Sequence, residues 1–508
     1  VIVAFVTTAI SLYLGVTLAR LIGPVRFWGR PFLAVLSLLP LAIMPSCSAL
    51  GLLHGFSPLR VGQLVQNFTR SELFFGQSWD RWISWLWLVW VGVISATPIV
   101  ALSVKAALGR VSPSWTDAGR AFGASRSRAW RQLVWPILRP EVARTLAAVF
   151  AIALLEPSAP IILGLRRTLG FQLVDAISRD APSTRLAMLA LIGLGLSLLG
   201  RALIRWWGGN RVHVSPLDRQ DRPERLVWWR ACFASVGLLV WIGFALLPLV
   251  GLAQIIVGPW RPDEDRAWVT SAMSTIYAIL SDPRTGSFDP DFIRVWKNAF
   301  GLGLSVTLID AFVIGLVQRT KTTGRPSLMI LGLERVPPLV LGLAAALLPS
   351  LILLLGERFH MSSWIQLSKM LDPVRWPGLV LIGATAAMRL PMLARAADRS
   401  DLRTRPGLLD AAISLGATPR KARKLSGGRG PSWGVLILTF TLATTSVTPA
   451  LVLTPTIRTR TLGPALVAWF EDRPRAALFA FGSIGLNLAG LVAARRGRSG
   501  AAGDWYRG

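Results

Sequence analysis

Residues 117 to 140, DAGRAFGASRSRAWRQLVWPILRP, form a basic, glycine-punctuated island between two long apolar runs. These side chains do no covalent chemistry; at this spacing they make a docking address for a soluble partner. Ala118, Ala121 and Phe122 share one helical face ahead of Gly123, and Trp130, Leu133 and Val134 share another behind it. Gly123 is therefore expected to break or bend the helix between them. A weaker relative, DAAISLGATPRKARKLSGGRG, recurs at 410 to 430.

The groups that carry catalysis or metal binding are sparse. A P-loop needs a lysine after glycine to charge-match phosphates, but Lys105, Lys297, Lys321, Lys369, Lys421 and Lys424 follow Val, Trp, Thr, Ser, Arg and Arg. His54, His213 and His360 lack metal-motif spacing, and Cys47 and Cys232 sit in apolar surroundings, so neither a metal site nor a disulfide framework is expected. Three acids lie inside or beside apolar runs, where each is costly and needs a reason: Glu156, Asp310 and Glu334. Glu156 precedes Pro157 and Pro160, which would unwind a helix and free carbonyls to line a cavity. Asp310 is expected to pair with a neighbouring arginine or helix dipole, or else to face a pathway. Many of the 22 tryptophans, including Trp79, Trp82, Trp85, Trp228 and Trp229, fall at run ends, where indole rings favour the headgroup zone.

The elements that must position these residues are membrane helices. The 508 residues are 53% hydrophobic and 16% charged, with a mean hydropathy of +0.52. This excludes an ordinary soluble domain and a disordered chain and defines an all-α polytopic membrane protein. Apolar windows predict spans near 1–20, 31–54, 83–107, 143–165 and 186–206, then 231–257, 296–318, 327–355, 376–396, 432–454 and 475–494. The chain opens inside an apolar run without a methionine, so one further helix is expected before Val1, for about 11–12 in all. The net charge of +29 is carried by short basic segments between spans and reads as positive-inside bias, not as nucleic-acid binding. Arginines at 110–139, 211–230, 403–429 and 495–498 fall on one side of an alternating topology, which makes both glycine-punctuated segments and the C-terminal tail cytoplasmic and leaves 258–295 outside.

An internal repeat links the two halves. Gly29-Arg30-Pro31 matches Gly324-Arg325-Pro326, Asp117 with Gly123 matches Asp410 with Gly416, and EPSAPIILG at 156–164 matches TSVTPALVL at 445–453. The domains expected are a first transmembrane unit at 1–206, a cytoplasmic linker at 207–230, a second transmembrane unit at 231–494 that opens with an extra helix, and a basic tail at 495–508.

Asp117, Ala118, Gly119, Gly123, Ala124, Ser125, Pro136 and Pro140 match in place the "EAA" loop of binding-protein-dependent ABC import permeases, with Asp for the usual Glu and Trp135 before the proline. The second copy departs from the pattern after Ala417, where SGGRGP replaces the Leu-Pro close. The chain thus resembles a fused, two-copy permease, most like the ferric-iron and thiamine types. The resemblance implies a type I (MetI-like) fold, separate ATP-binding cassette subunits acting as a homodimer, and an extracytoplasmic substrate-binding protein. It also implies a bacterial inner-membrane location, iron(III) as cargo, no cofactor and no nucleic-acid partner. The coupling residues it implies are Asp117, Ala118, Gly123 and Pro136, with Asp410, Ala411, Ala412 and Gly416. The matched, proline-broken segments place Glu156, Pro160, Thr445 and Pro449 on the translocation path. The competing classes are an ion-gradient-driven secondary transporter, which would need no such loop, and a polytopic assembly factor.

Overall fold

The computed structural model describes residues 1–22, 25–26, 30–56, 78–108, 119, 121–179, 183–209, 224–225, 228–257, 267–281, 289–320, 336–371, 377–401, 414, 433–453 and 460–496. It is helical apart from one parallel pair, β1 (Val25–Arg26) with β2 (Glu224–Arg225), among the described residues. Among the described residues eight helices are long and apolar enough to cross a membrane, or nine if Phe32–Ala42 and Pro45–Gly55, bent by 96°, count as one span. Two anticipated spans are shorter than expected: only Gly378–Leu390 of the 376–396 window and Trp433–Thr444 of the 432–454 window form apolar helix. The second is cut short by a break at 445–447.

The chain divides into two compact units, Val1–Thr275 and Ile276–Gly503. The first holds α1 (Ile2–Leu21), α2 (Arg30–Leu36), α3 (Pro45–Gly55), α4 (Ser78–Leu108), α5 (Arg126–Ala129), α6 (Trp135–Leu155) and α7 (Ser158–Ile162). It continues with α8 (Leu169–Ser178), α9 (Ser183–Gly208) and α10 (Trp228–Val257); α11 (Ala267–Leu280) spans the boundary between the units. The second holds α12 (Pro290–Thr320), α13 (Pro338–Arg358), α14 (Ser362–Met370), α15 (Pro377–Asp401), α16 (Trp433–Thr444), α17 (Thr448–Leu453), α18 (Leu462–Ala468) and α19 (Arg473–Arg496).

Proline sets many of the boundaries. A residue before proline is pushed out of the helical region, and Met44 (ψ 150°), Glu156 (ψ 115°) and Pro337 (ψ 145°) stand just outside α3, α6 and α13 in that conformation. Asp289 starts α12 through its carboxylate, which accepts the Asp291 N–H at 2.9 Å.

The units repeat one packing scheme. In the first, α1 packs on α4 and α6, α4 on α6, α6 on α9, α3 on α4 and α7, and α8 on α9; in the second, α12 packs on α15 and α16, α15 on α16, α16 on α19, α13 on α15 and α17, and α18 on α19. Each pairing has its counterpart, so the short sequence matches mark a repeat of whole architecture. The first unit's core gathers Leu18, Val100, Val104, Leu138, Val142 and Leu238. The second unit stacks the fully buried Phe479 on Phe292 and Trp469, with ring centroids 4.8 and 5.2 Å apart.

The extra helix α10 differs from its expected place. The sequence boundary at 207–230 assigns it to the second unit, but its packing partner is α3 of the first. The reason is a glycine seam: Gly51 and Gly55, four apart on α3, meet Pro248 and Gly251 of α10 backbone to backbone. In lipid, helices associate through such close van der Waals approach, because the tails are as apolar as the side chains. A Cβ at Gly251 would run into the Gly51 carbonyl, whereas one at Gly243 meets nothing within 4 Å. Gly251→Ala should therefore cost about 1–3 kcal/mol and lower the thermal midpoint of the purified chain, while Gly243→Ala leaves it unchanged or slightly raised.

Candidate functional site

The glycine-punctuated island folds as a helix, a tight turn and a second helix. Gly119 and Ala121 are helical, and Gly123 follows at φ +83°, a left-handed conformation that glycine adopts without steric cost. The Ala124 N–H reaches back to the Gly119 carbonyl at 3.0 Å, the six-to-one bond of a helix end with a left-handed cap. Ser125 then opens the next helix: its hydroxyl accepts from the Arg128 N–H at 3.3 Å and its carbonyl from the Ala129 N–H at 2.9 Å. Gly-Ala-Ser is thus one stop signal followed by one start signal. Gly119 lets the two helices close on each other, since a Cβ there would lie 2.9 Å from Leu133. Phe122, at the tip, is 91% exposed.

Behind the turn, residues 130–134 are wound as a π-helix, in which the Trp135 N–H bonds to the Trp130 carbonyl. Pro136 supplies the reason: it has no N–H to donate to the carbonyl four residues back, so the ladder slips by one residue just before it. Pro136 is exposed and sits in the first turn of α6, where its missing donor leaves no gap. Asp117, Ala118, Asp410, Ala411, Ala412, Gly416 and Glu334 lie outside the described residues.

At its far end α6 stops at Leu155, and the chain breaks at Glu156 and Pro157 before restarting as α7. The Glu156 carboxylate stays with its own break, accepting the Ser158 N–H at 3.1 Å and the Ser158 hydroxyl. Pro160 is buried within α7. In the second unit α16 stops at Thr444, residues 445–447 are non-helical, and Pro449 is buried in α17. No proline occupies this break. Instead hydroxyls compete for the carbonyls, with Thr444 donating to Phe440 at 2.8 Å and Thr445 lying 2.9 Å from the Thr441 carbonyl and 3.0 Å from Asn487 Oδ1.

Both breaks are closed by the same device, which the sequence reading overlooked. Gly170 packs on the Glu156 carbonyl and Gly463 on the Ser446 carbonyl, so near that a Cβ would lie 2.8 and 2.7 Å from the oxygen. Each glycine ends an identical tetrapeptide, Arg167-Thr168-Leu169-Gly170 and Arg460-Thr461-Leu462-Gly463. That identity was the available signal. In the first unit Thr168 caps α8 by accepting the Phe171 N–H at 3.3 Å; in the second Thr461 is buried, with no partner for its hydroxyl among the described residues.

The second unit also buries an acid, Asp310, whose Oδ2 has no hydrogen-bond partner among the described residues. Asp310 of α12 is 1% exposed and interacts electrostatically with Arg389 of α15. Arg389 Nη2 donates to the Leu442 carbonyl at 2.8 Å, one turn before the break in α16. Among the described residues no three His, Cys, Asp or Glu converge as metal ligands. Cys47 is buried and Cys232 exposed, and neither is in a disulfide.

Spanning helices, a packing scheme used twice and a capped glycine turn define a polytopic membrane protein of two like units. Residues 11–208, within the first unit, match the family of binding-protein-dependent transport system inner membrane components. The chain is 24% identical over 314 residues to the ferric transport system permease protein FbpB of Actinobacillus pleuropneumoniae, covering 56% of this chain and 44% of that one. It is 28% identical over 208 residues to the probable molybdenum ABC transporter permease protein of Haloferax volcanii, covering 40% of this chain and 72% of that one. A stretch 29% identical over 262 residues matches the multidrug efflux pump LfrA of Mycolicibacterium smegmatis, covering 44% of this chain and 48% of the pump. The chain thus spans less than half the length of the ferric relative. No solved structure gives a significant match.

The buried acid gives a stability prediction. Removing the guanidinium that faces a buried acid leaves the acid uncompensated, a loss of up to roughly 3–5 kcal/mol where the two act as a pair, and more than replacing both. Arg389→Leu should lower the yield and thermal midpoint of the chain more than the double change Asp310→Asn with Arg389→Gln. Equal losses in the two would show that the groups do not act as a pair.

Proposed function

We propose that this chain is the membrane permease subunit of an ATP-driven importer in a bacterial inner membrane, with ATP hydrolysis on a separate subunit. The observation that carries this reading is the Gly123 turn: an exposed aromatic on a rigidly capped helix-turn-helix, joined through one continuous helical stretch to a broken helix at Glu156. ATP closes the motor dimer, the docked turn is displaced, and α6 carries the displacement to the break; this is rigid-body gating driven by differential binding to two states. Asp117, Ala118, Gly123 and Pro136 form the first coupling loop, and Asp410, Ala411, Ala412 and Gly416 the second. Glu156, Pro160, Thr445 and Pro449 mark the translocation path. Both loops and the C-terminus are cytoplasmic, 258–295 faces outside, the ATPase is a homodimer, and an extracytoplasmic binding protein delivers the cargo. The ferric relative supports iron(III) as that cargo. A second reading, a gradient-driven transporter coupled through Asp310 and Arg389, has the efflux-pump relative in its favour; it predicts transport without any ATPase.

The test is copurification. The wild-type chain should bring down a soluble ATPase, and Phe122→Ser should reduce its recovery about tenfold or more, the loss expected when an aromatic anchor worth ~2 kcal/mol is removed. Gly123→Val, which cannot hold the left-handed turn, should do the same, while Gly123→Asn, which tolerates it, should retain binding. Undiminished recovery with folded Phe122→Ser and Gly123→Val variants would contradict the docking role.

A further inference from the structure

Directly behind the Gly123 turn, four helical segments of the first unit are tied together by a ladder of arginines and indoles. Arg20, in the last turn of α1, lies over the Trp130 ring with Cζ 3.8 Å from its centroid. Trp130, the first residue of the π-helix, stacks on Trp135 at 5.6 Å and 29°. Trp135 opens α6 and meets Trp207 of α9 edge to face at 6.2 Å and 63°. Arg139, one helical turn further along α6, closes the series over Trp207 at 4.9 Å. All three indoles pack against the unit's main apolar cluster.

We infer that this Arg20-Trp130-Trp135-Trp207-Arg139 ladder is the positioning element that transmits displacement of the Gly123 turn to α1 and α9, an inference that rests on the proposed coupling role of the turn. Three observations support it. First, the ladder begins within the π-helix, the one described stretch near the turn where the regular backbone ladder is interrupted, so side chains must carry stiffness that the backbone there lacks. Second, its contacts are directional: a guanidinium is held over a ring face by the ring's quadrupole, and offset or edge-to-face indoles resist sliding in a way that aliphatic packing does not. Third, α1 and α9 make no covalent connection to the turn through neighbouring residues. The ladder reaches both of them from a segment five residues or more past Ser125.

A merely structural ladder and a transmitting one separate when the indole face is removed but the bulk is kept. The experiment uses the full chain in lipid nanodiscs with the ATPase that copurifies with it. A single nitroxide sits at Leu203, an exposed position on α9, in a Cys232→Ser background. In the otherwise wild-type chain, addition of a non-hydrolysable ATP analogue should change the mobility spectrum of the label. Trp130→Leu should retain the ATPase and reduce that change at least fivefold, while Trp130→Phe and Arg20→Lys, which keep a ring face and a cation, should preserve most of it. An undiminished response in Trp130→Leu would overturn the inference while leaving the coupling role of the turn intact. Equal loss in Trp130→Leu and Trp130→Phe would also overturn it, because packing volume alone would then explain the effect. If the wild-type chain binds no ATPase, the proposed function itself fails and the inference falls with it.

Discussion

A membrane interior offers no water to bond a freed carbonyl, so a helix interrupted there must find every partner within the protein. That requirement explains why the two breaks look alike although their sequences do not. At Glu156 the interruption comes from Pro157, and at Thr445 from a run of hydroxyls that bond their own helix. In both cases a glycine presses its backbone against the exposed carbonyl, Gly170 in one unit and Gly463 in the other. Arg389 adds a donor to the Leu442 carbonyl just ahead of the second break, which gives this half-buried guanidinium a partner on the same helix as the break.

The same accounting links the breaks to the surface. From Arg126 to Leu155 the first unit is continuous helix, including the π segment that Pro136 imposes. At 1.5 Å per residue, α6 alone extends about 30 Å, roughly the hydrocarbon thickness of a bilayer. A capped turn at one end and a broken segment at the other are therefore two ends of one rod. Moving one without the other would require the rod to bend, and the core of Leu138, Val142 and Leu146 packed against α1 and α4 opposes that.

What the sequence revealed depended on whether the determining interaction was local. The Gly123 turn was legible because its cap and the Ser125 start lie within a few residues, and the Glu156 break because Pro157 forces it. Asp310 was legible as needing a cation, but Arg389 lies on another helix and the face it presents is set by packing alone. The place of α10 was hidden because a uniformly apolar helix does not record its partner except through Gly251, whose match to Gly51 and Gly55 emerges only in three dimensions. The Arg-Thr-Leu-Gly tetrapeptides were in plain view. They were missed because the matching stopped at 156–164 and 445–453, and each tetrapeptide lies a few residues beyond.

The central proposal is that each break borders a water-filled path. It is tested most directly by thiol accessibility in the membrane, with single cysteines placed at the half-buried break positions Ile161 and Thr448 and at the exposed α9 position Leu191, all in the Cys232→Ser background. A charged, membrane-impermeant methanethiosulfonate reagent should modify Ile161→Cys and Thr448→Cys and leave Leu191→Cys, on the exposed apolar face of α9, unmodified. Break positions as inert as Leu191→Cys in every nucleotide state would contradict the account and reduce both breaks to structural kinks.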